Sequence, residues 1–336
     1  MTAWSRHAPI HHNGAVPLDP YLTARLTLLD GIDSWSALDD PVLAPRVTEW
    51  SRDGSPYPGP AVASHDVGLT ADGRAFRVRV YGSGDGAAPC VVWVHGGAFL
   101  AGDLDMNEAD LVARELVDRA GAVVVSVDYE LVPHVRYPVP HRQVVAAVRW
   151  AVAHAAELGA DPDRLVLGGA SAGGALGLAA ARELVAAPGP VPRALLLAYP
   201  VGHHRWPQDP RQEALMAGLP GILRFSAETI VEINDGYVAG HPDPRFAFVD
   251  LDPGGVTAAL TGLPPTLVVV CEYDDLRTSA ELLVEQARAA GCRVERRLAT
   301  GMVHGHLDRT PVLPEVDASL DALARVVREL DVRPEG

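Results

Sequence analysis

The sequence predicts an α/β protein whose central sheet is mostly parallel and is covered by helices on both faces. Short apolar runs alternate with helical segments along most of its 336 residues. Glycine-rich or polar residues come directly after several of these apolar runs, as they do where a buried strand ends. Hydrophobic residues make up 48% of the chain, which is enough for a large interior. These observations favour a single α/β body with insertions over a string of separate domains.

The charge balance limits the partners that we expect. With 43 acidic and 28 basic side chains, the formal net charge is −15. Such a surface repels nucleic-acid phosphates and anionic lipid heads, so we expect neither nucleic acid nor a membrane as a partner. No apolar run is long enough to cross a bilayer, and residues 1–14 lack the apolar core of a secretory signal. Cys90, Cys271 and Cys292 lie far apart, which predicts free thiols in the cytoplasm and no cysteine metal site.

Residues 1–60 are predicted to form an N-terminal extension. A helix is expected over 19–29, where Leu22, Leu26 and Leu29 share one face. The segment 53–60 holds three prolines and two glycines and is interpreted as a linker. The extension is either a loosely packed tail or half of a lid, and we favour the lid.

The α/β core is predicted over 61–200 and 246–336, interrupted by an insertion at 201–245 that folds over the active site. The insertion is rich in proline, histidine, arginine and glycine and contains one expected helix, 226–238. The other expected helices cover 107–120, 141–158, 172–185, 279–290 and 314–330. The expected strands cover 76–80, 90–94, 123–127, 164–168, 194–199, 266–271 and 293–298.

A Gly-x-Ser-x-Gly turn connects one of these strands to the next helix. Ser171 lies between Gly169 and Gly173, after the apolar run 165–167 and before the Ala-rich segment. In such an elbow the serine is strained, and glycines two before and two after it avoid collisions with the neighbouring strand and helix. The N–H of Ala172 then points toward the oxygen of a carbonyl that Ser171 attacks.

A serine nucleophile requires a base, and the base requires a third group that orients it. Asp274 follows one late strand and His304 follows the next, in the order Ser, Asp, His that this architecture predicts. His306 and Asp275 are the rival base and the rival acid. A glycine pair, Gly96 and Gly97, follows the strand 90–94 and is suited to offer further oxyanion N–H donors.

Together these motifs resemble the hormone-sensitive lipase family of α/β-hydrolases, which includes bacterial carboxylesterases with an H-G-G-G-type oxyanion motif. The resemblance extends from about residue 67 to the end of the chain. It rests on the ordered matches 95–99, 102–105, 128–129 with Pro133, 161–162, 169–174, 199–201, 273–274 with 276–277, and 301–305. It implies an α/β-hydrolase fold, oxyanion donors at Gly96, Gly97 and Ala172, and a cap made from the N-terminal extension and the insertion. The serine mechanism itself is expected to need no cofactor or metal.

Several positions depart from the family pattern. Ala170 stands where Asp or Thr is usual, Ala98 where a third glycine is common, and Asp275 where proline follows the catalytic acid. Ala175 replaces a common Asn. Phe99 is expected to contact substrate, and Glu232 and Asn234 fall where the family often places tryptophans in the cap. If these two polar side chains face the cavity, the substrate is more polar than a simple lipid ester.

The leading hypothesis is therefore a cytoplasmic serine carboxylesterase acting on a small carboxylic ester through an acyl-enzyme on Ser171. The alternative is a lactonase, a deacetylase or an acyl-transfer or cyclising enzyme that uses the same triad, because fold and triad do not define the pocket. A non-catalytic ligand-binding protein is the remote alternative. A homodimer is a further expectation from the resemblance.

Overall fold

The computed structural model describes residues 17–331 except 242, 250 and 252. The expectation about a signal in residues 1–14 therefore lies outside the described residues. Among the helices that are described, none combines the length and the apolar character that a membrane-spanning segment requires.

Eight strands form one sheet in the order β1-β2-β4-β3-β5-β6-β7-β8. The strands are β1 (Ser64–Ala71), β2 (Arg74–Tyr81), β3 (Ala88–Val94), β4 (Val123–Asp128), β5 (Ala160–Ala170), β6 (Ala194–Ala198), β7 (Thr266–Tyr273) and β8 (Val294–Val303). The pairs β1/β2 and β2/β4 are antiparallel, and all pairs from β4 through β8 are parallel. The carboxyl ends of β3, β5, β7 and β8 therefore meet at one edge, where the candidate site lies.

Helices cover both faces of the sheet. The helices are α1 (Pro20–Arg25), α2 (Ala44–Ser51), α3 (Asp110–Ala120), α4 (Val139–Ala153), α5 (Ala155–Leu158), α6 (Ala172–Ala186), α7 (Pro210–Met216), α8 (Ala227–Val238), α9 (Pro253–Leu260), α10 (Arg277–Ala289) and α11 (Pro314–Arg328). One core cluster packs α4, α6, α8 and α10 on the sheet, and the other packs α3, α11 and the N-terminal segment on the opposite face. Strand β3 contributes side chains to both core clusters, because Val92 and Val94 belong to the first cluster and Val91 and Trp93 belong to the second.

The predicted elements are confirmed in the core, with changes at their ends. The strand expected at 164–168 is longer, because β5 pairs with β3 from Ala160 onward. The helix expected over 141–158 is divided at His154 into α4 and α5. Helices α2, α7 and α9 were not expected from the sequence. They are short, and α7 and α9 lie in proline- and glycine-rich stretches that the sequence alone indicates as loops.

The N-terminal segment packs tightly on the core. Leu22 and Leu29 are fully buried, although the predicted helix over 19–29 becomes a 3-10 helix after Arg25. The backbone N–H of Ile222, in the insertion, donates to the carbonyl of Ile32 at 3.1 Å. The interpretation of this segment as a loose tail is therefore wrong for residues 17–52, since they contact both the core and the insertion.

Helix α6 begins unusually close to the end of β3. A Cβ atom at Gly173 would lie 2.2 Å from the carbonyl oxygen of Val94 and 2.3 Å from that of His95. A Cβ at Gly169 would lie 2.4 Å from the carbonyl oxygen of Gly173. These contacts involve backbone atoms that cannot move aside, which confirms the predicted reason for glycine at both positions.

Replacing Gly173 by alanine is expected to destabilise the protein strongly, by about 3 kcal/mol or more, since the added methyl overlaps two strand carbonyls. Gly177 on the same helix is the matched control, because its nearest contact would be at 3.8 Å. Gly177→Ala should stabilise the helix by about 0.5–1 kcal/mol. Urea unfolding of the two variants measures both changes, and equal stability of the two would contradict the packing described.

Candidate active site

Ser171 stands at the turn from β5 into α6 with φ 53° and ψ −118°. A positive φ is unfavourable for a serine, and it is maintained here by the surrounding contacts. The N–H of Ser171 donates to the carbonyl of Ala198 at 2.9 Å, and its own carbonyl accepts the N–H of Ala175 at 3.1 Å. The hydroxyl is thereby presented at the tip of the turn.

The structure brings together the three side chains that the sequence predicted as a triad. Ser171 Oγ lies 2.9 Å from His304 Nε2, and His304 Nδ1 lies 2.8 Å from Asp274 Oδ2. Asp274 follows β7 directly and His304 follows β8 directly, so the parallel strands place both beside the serine turn. This chain of hydrogen bonds can move a proton from the serine hydroxyl to the ring and stabilise the charge that results.

The loop of Asp274 is held from two directions. The Oδ1 atom of Asp274 accepts the N–H of Leu276 at 2.8 Å. The side-chain amide of Gln212, on α7, donates to the carbonyls of Glu272 and Asp274 at 3.0 and 2.9 Å. Gln212 was missed from the sequence, because nothing in the surrounding stretch indicates that it reaches across 62 residues to this loop.

The rival base, His306, is committed to the interior. Its Nδ1 lies 3.2 Å from Cys271 Sγ, and its Nε2 lies 2.8 Å from Ser319 Oγ. The ring is fully buried, and this burial lowers the pKa of His306 to about 3. His306 is therefore a neutral packing residue next to the triad.

The rival acid, Asp275, has a different set of partners from Asp274. Its carboxylate accepts hydrogen bonds from the side chain of Arg224 and from the N–H of Phe225. It makes no hydrogen bond to His304 among the described contacts. Asp274 is thus the carboxylate that orients the ring.

The prediction of Gly96 as an oxyanion donor is wrong, because its N–H is already used. It donates to Glu108 Oε2 at 2.6 Å, and Glu108 is buried. The N–H groups of Gly97 and Ala98, the next two residues, and of Ala172 have no hydrogen-bond partner within the described part of the chain. Gly97 and Ala98 both have positive φ, 106° and 57°, which sets the course of this loop.

Glu108 was also missed from the sequence. Its second oxygen accepts the hydroxyl of Tyr199 at 2.7 Å, and its carbonyl accepts Trp93 Nε1–H at 2.7 Å. The Tyr199 ring in turn lies edge-on to His304, with 5.0 Å between ring centroids. A buried carboxylate thus connects the glycine loop to the histidine side of the site.

The three side chains expected to contact substrate, Phe99, Asn234 and Glu232, have different surroundings from one another. Phe99 is fully buried and stacks on Tyr237 of α8 at 4.1 Å, so it joins the insertion to the core. Asn234 is buried, and its amide donates to the carbonyls of His203 and His204 at 3.3 and 3.0 Å. Glu232 is exposed. The donor group of Asn234 thus holds a backbone loop, whereas its Oδ1 is buried and has no hydrogen-bond partner among the described residues, so substrate binding by Asn234 stays a prediction.

The electrostatic surroundings of His304 favour its protonation. Burial, the largest single influence, lowers the pKa of the His304 ring. The charge and hydrogen bond of Asp274, with the charges of Glu108 and Asp275, outweigh it and raise that pKa above the ordinary histidine value. The ring therefore accepts the serine proton more readily than an isolated buried histidine would.

A cavity of about 1020 Å³ lies elsewhere, at the amino ends of β6, β7 and β8. It contains none of the triad side chains. Over the described residues, no three His, Cys, Asp or Glu side chains come together as a metal site would require.

Comparison with known proteins agrees with this geometry. Residues 91–308 match a protein family that is described as having the alpha/beta hydrolase fold. Esterase LipI of Mycobacterium tuberculosis is 32% identical over 307 residues, covering 88% of this chain and 90% of LipI. The chain belongs to the hormone-sensitive lipase family of α/β-hydrolases.

Two further relatives of this family member are similar over most of their length. Carboxylesterase NlhH of M. tuberculosis is 34% identical over 253 residues, which cover 72% of this chain and 74% of NlhH. The crystal structure of a thermostable esterase from Pseudomonas putida superposes with a TM-score of 0.78 at 25% identity, covering 96% of this chain and all of that one. The α/β-hydrolase fold predicted from the sequence is confirmed.

The two histidines of this loop are expected to titrate very differently. The His304 signals in a ¹⁵N-histidine NMR titration should move at a pH above the ordinary histidine value, whereas His306 should stay neutral down to about pH 3. Asp274→Asn removes the strongest influence that raises the His304 pKa, so that pKa should fall below its wild-type value. An unchanged His304 titration in the variant would contradict the described pairing.

Proposed function

We propose that this chain is a serine carboxylesterase that hydrolyses small carboxylic esters through an acyl-enzyme on Ser171. The observation that carries the proposal is the continuous hydrogen-bonded chain from Ser171 through His304 to Asp274 at a strained strand-to-helix turn. Relatives named esterases and carboxylesterases support the same reaction class. Fold alone would not, because function depends on the site.

In the first half of the reaction, Ser171 Oγ attacks the ester carbonyl and His304 Nε2 takes the hydroxyl proton. The carbonyl oxygen becomes an oxyanion, and the N–H groups of Gly97, Ala98 and Ala172 are the open donors on that side of the serine. As the intermediate collapses, the C–O bond to the alcohol breaks. His304 then gives its proton to the departing oxygen, and the acyl group remains on Ser171.

In the second half, water attacks the acyl carbonyl while His304 takes one of its protons. The second oxyanion uses the same N–H donors. When the bond to Ser171 Oγ breaks, His304 returns the proton to the serine, and the carboxylic acid leaves. Asp274 keeps the ring oriented and stabilises its positive charge in both halves.

The alternative of lactone, deacetylase or acyl-transfer chemistry rested partly on polar side chains facing the cavity. The Asn234 amide donates to backbone carbonyls of the insertion and Glu232 is exposed, so neither side chain is shown to face the cavity and this support is weaker. The esterase proposal is therefore favoured. A cytoplasmic location and a homodimer stay predictions.

Ser171→Ala is expected to lower turnover by a factor of about 10⁴ to 10⁶, because the nucleophile is lost while the oxyanion donors remain. Hydrolysis of p-nitrophenyl esters from acetyl to dodecanoyl, measured beside the wild type, tests both the nucleophile and the chain length. Covalent labelling by a fluorophosphonate should occur in the wild type and not in the variant. Wild-type hydrolysis by the variant would overturn the proposal.

Gly97→Ala should reduce kcat by about 10²- to 10³-fold, because it misplaces the oxyanion donors. The added Cβ would lie 2.0 Å from the carbonyl oxygen of Ala101. Ala98→Gly is the comparison variant: it keeps its N–H and relieves a left-handed alanine, so stability should rise by about 1 kcal/mol. Equal kcat for Gly97→Ala and wild type would exclude this loop from the oxyanion site.

A further inference from the structure

A second carboxylate, Asp275, lies directly beside the triad acid and is almost completely buried, with 7% of its side chain exposed. Arg224 donates to it through two nitrogens, Nε–H to Oδ2 at 2.9 Å and Nη2–H to Oδ1 at 3.2 Å. The N–H of Phe225 donates to Oδ2 at 2.7 Å. This forked arrangement is the strong, geometrically specific form of an arginine–carboxylate pair.

The donors come from the insertion, whereas the acceptor belongs to the loop of the triad acid. Arg224 follows a 3-10 turn, Gly221–Leu223, and a third nitrogen, Nη1, donates to the carbonyl of Met216 at 3.0 Å. The turn also contacts the N-terminal segment, through the N–H of Ile222 and the carbonyl of Ile32. The ion pair therefore joins both outer segments of the chain to the triad loop.

The same pair fixes an aromatic wall beside the base. The Phe225 ring lies edge-on to the His304 ring, with 5.2 Å between centroids and 83° between planes. Because the backbone N–H of Phe225 is bound to Asp275, the backbone from which this ring projects is held beside His304.

The pair also affects the charge around His304. The charged and titratable groups that face the ring are Asp274 and Asp275 after β7, Glu108 before α3, Tyr199 after β6 and His306 on its own loop. Three of these are carboxylates, and each favours the protonated ring. Arg224 is the cation bound to one of them, so it opposes part of that effect.

We propose that Asp275 and Arg224 are a positioning pair for the reaction: they fasten the insertion over the triad, hold the backbone of Phe225 beside His304, and let Arg224 offset part of the charge of the second carboxylate at the base. This inference rests on the proposed function. Neither side chain touches the reacting atoms, so their effect acts through His304 and Phe225.

The test is the pH dependence of kcat/KM for Asp275→Asn, Arg224→Gln and the double variant, with a p-nitrophenyl ester as substrate. Asp275→Asn leaves the Arg224 cation unopposed, so the acidic limb should move to lower pH by about 0.3–1 unit. Arg224→Gln leaves a bare carboxylate, so the limb should move to higher pH by about the same amount. The double variant should return close to the wild-type profile.

Two further variants separate charge from geometry. Arg224→Lys keeps the cation but loses the fork, so its acidic limb should stay in place while KM rises by about three- to tenfold. Arg325→Gln is the matched control, because Arg325 lies on α11 and pairs with Glu295 and Glu329 at the surface. It should leave both the profile and KM unchanged.

The single variants decide the matter. Opposite shifts that cancel in the double variant support the pair. Shifts in the same direction, or none, overturn it even if all variants remain active and fold with the wild-type melting temperature. Failure of the proposed function would be distinct, since the wild type would then lack Ser171-dependent ester hydrolysis.

Discussion

The close approach of α6 to the end of β3 is the constraint on which the site depends. Without side chains at Gly169 and Gly173, the first turn of the helix rests on the carbonyls of Val94 and His95. This contact brings two features of the candidate site together, because β3 leads into the glycine loop and α6 carries the serine turn at its start. The strain at Ser171 is maintained by this packing, and the fold bears its energetic cost.

A buried carboxylate then connects the two sides of the site. Burying Glu108 is costly unless hydrogen bonds satisfy it, and here the N–H of Gly96 and the hydroxyl of Tyr199 do so. One bond fixes the glycine loop, while the other positions the ring that packs against His304. Burial and the nearby charge of Glu108 raise the pKa of Tyr199 well above its ordinary value, so the phenol stays protonated and donates. The loop and the base are thus held in one network.

Segments outside the core hold the loops that carry the acid and the base. Arg309, five residues after His304, is buried in an ion pair with Asp53 at 3.1 Å and stacks over Trp50 at 4.9 Å. The N–H of Thr310 also donates to the Asp53 carboxylate at 2.5 Å. Gln212 performs the corresponding role for the loop of Asp274. The N-terminal segment and the insertion therefore serve as supports for the triad as well as neighbours of it.

The sequence by itself determined the strand and helix alternation and the serine turn, and it predicted Ser171, Asp274 and His304, which the structure joins by hydrogen bonds. These follow from local patterns: a buried run, a glycine-spaced turn, and polar residues immediately after late strands. Only the tertiary structure decided that the Gly96 N–H is bound to Glu108, that Glu108 and Gln212 hold the loops of the site, and that Asp275 pairs with Arg224. Each of these depends on contacts between residues from 12 to 91 positions apart. Hydrogen bonds over such separations leave no periodic signal in the chain, because they are set by how loops cross the sheet edge.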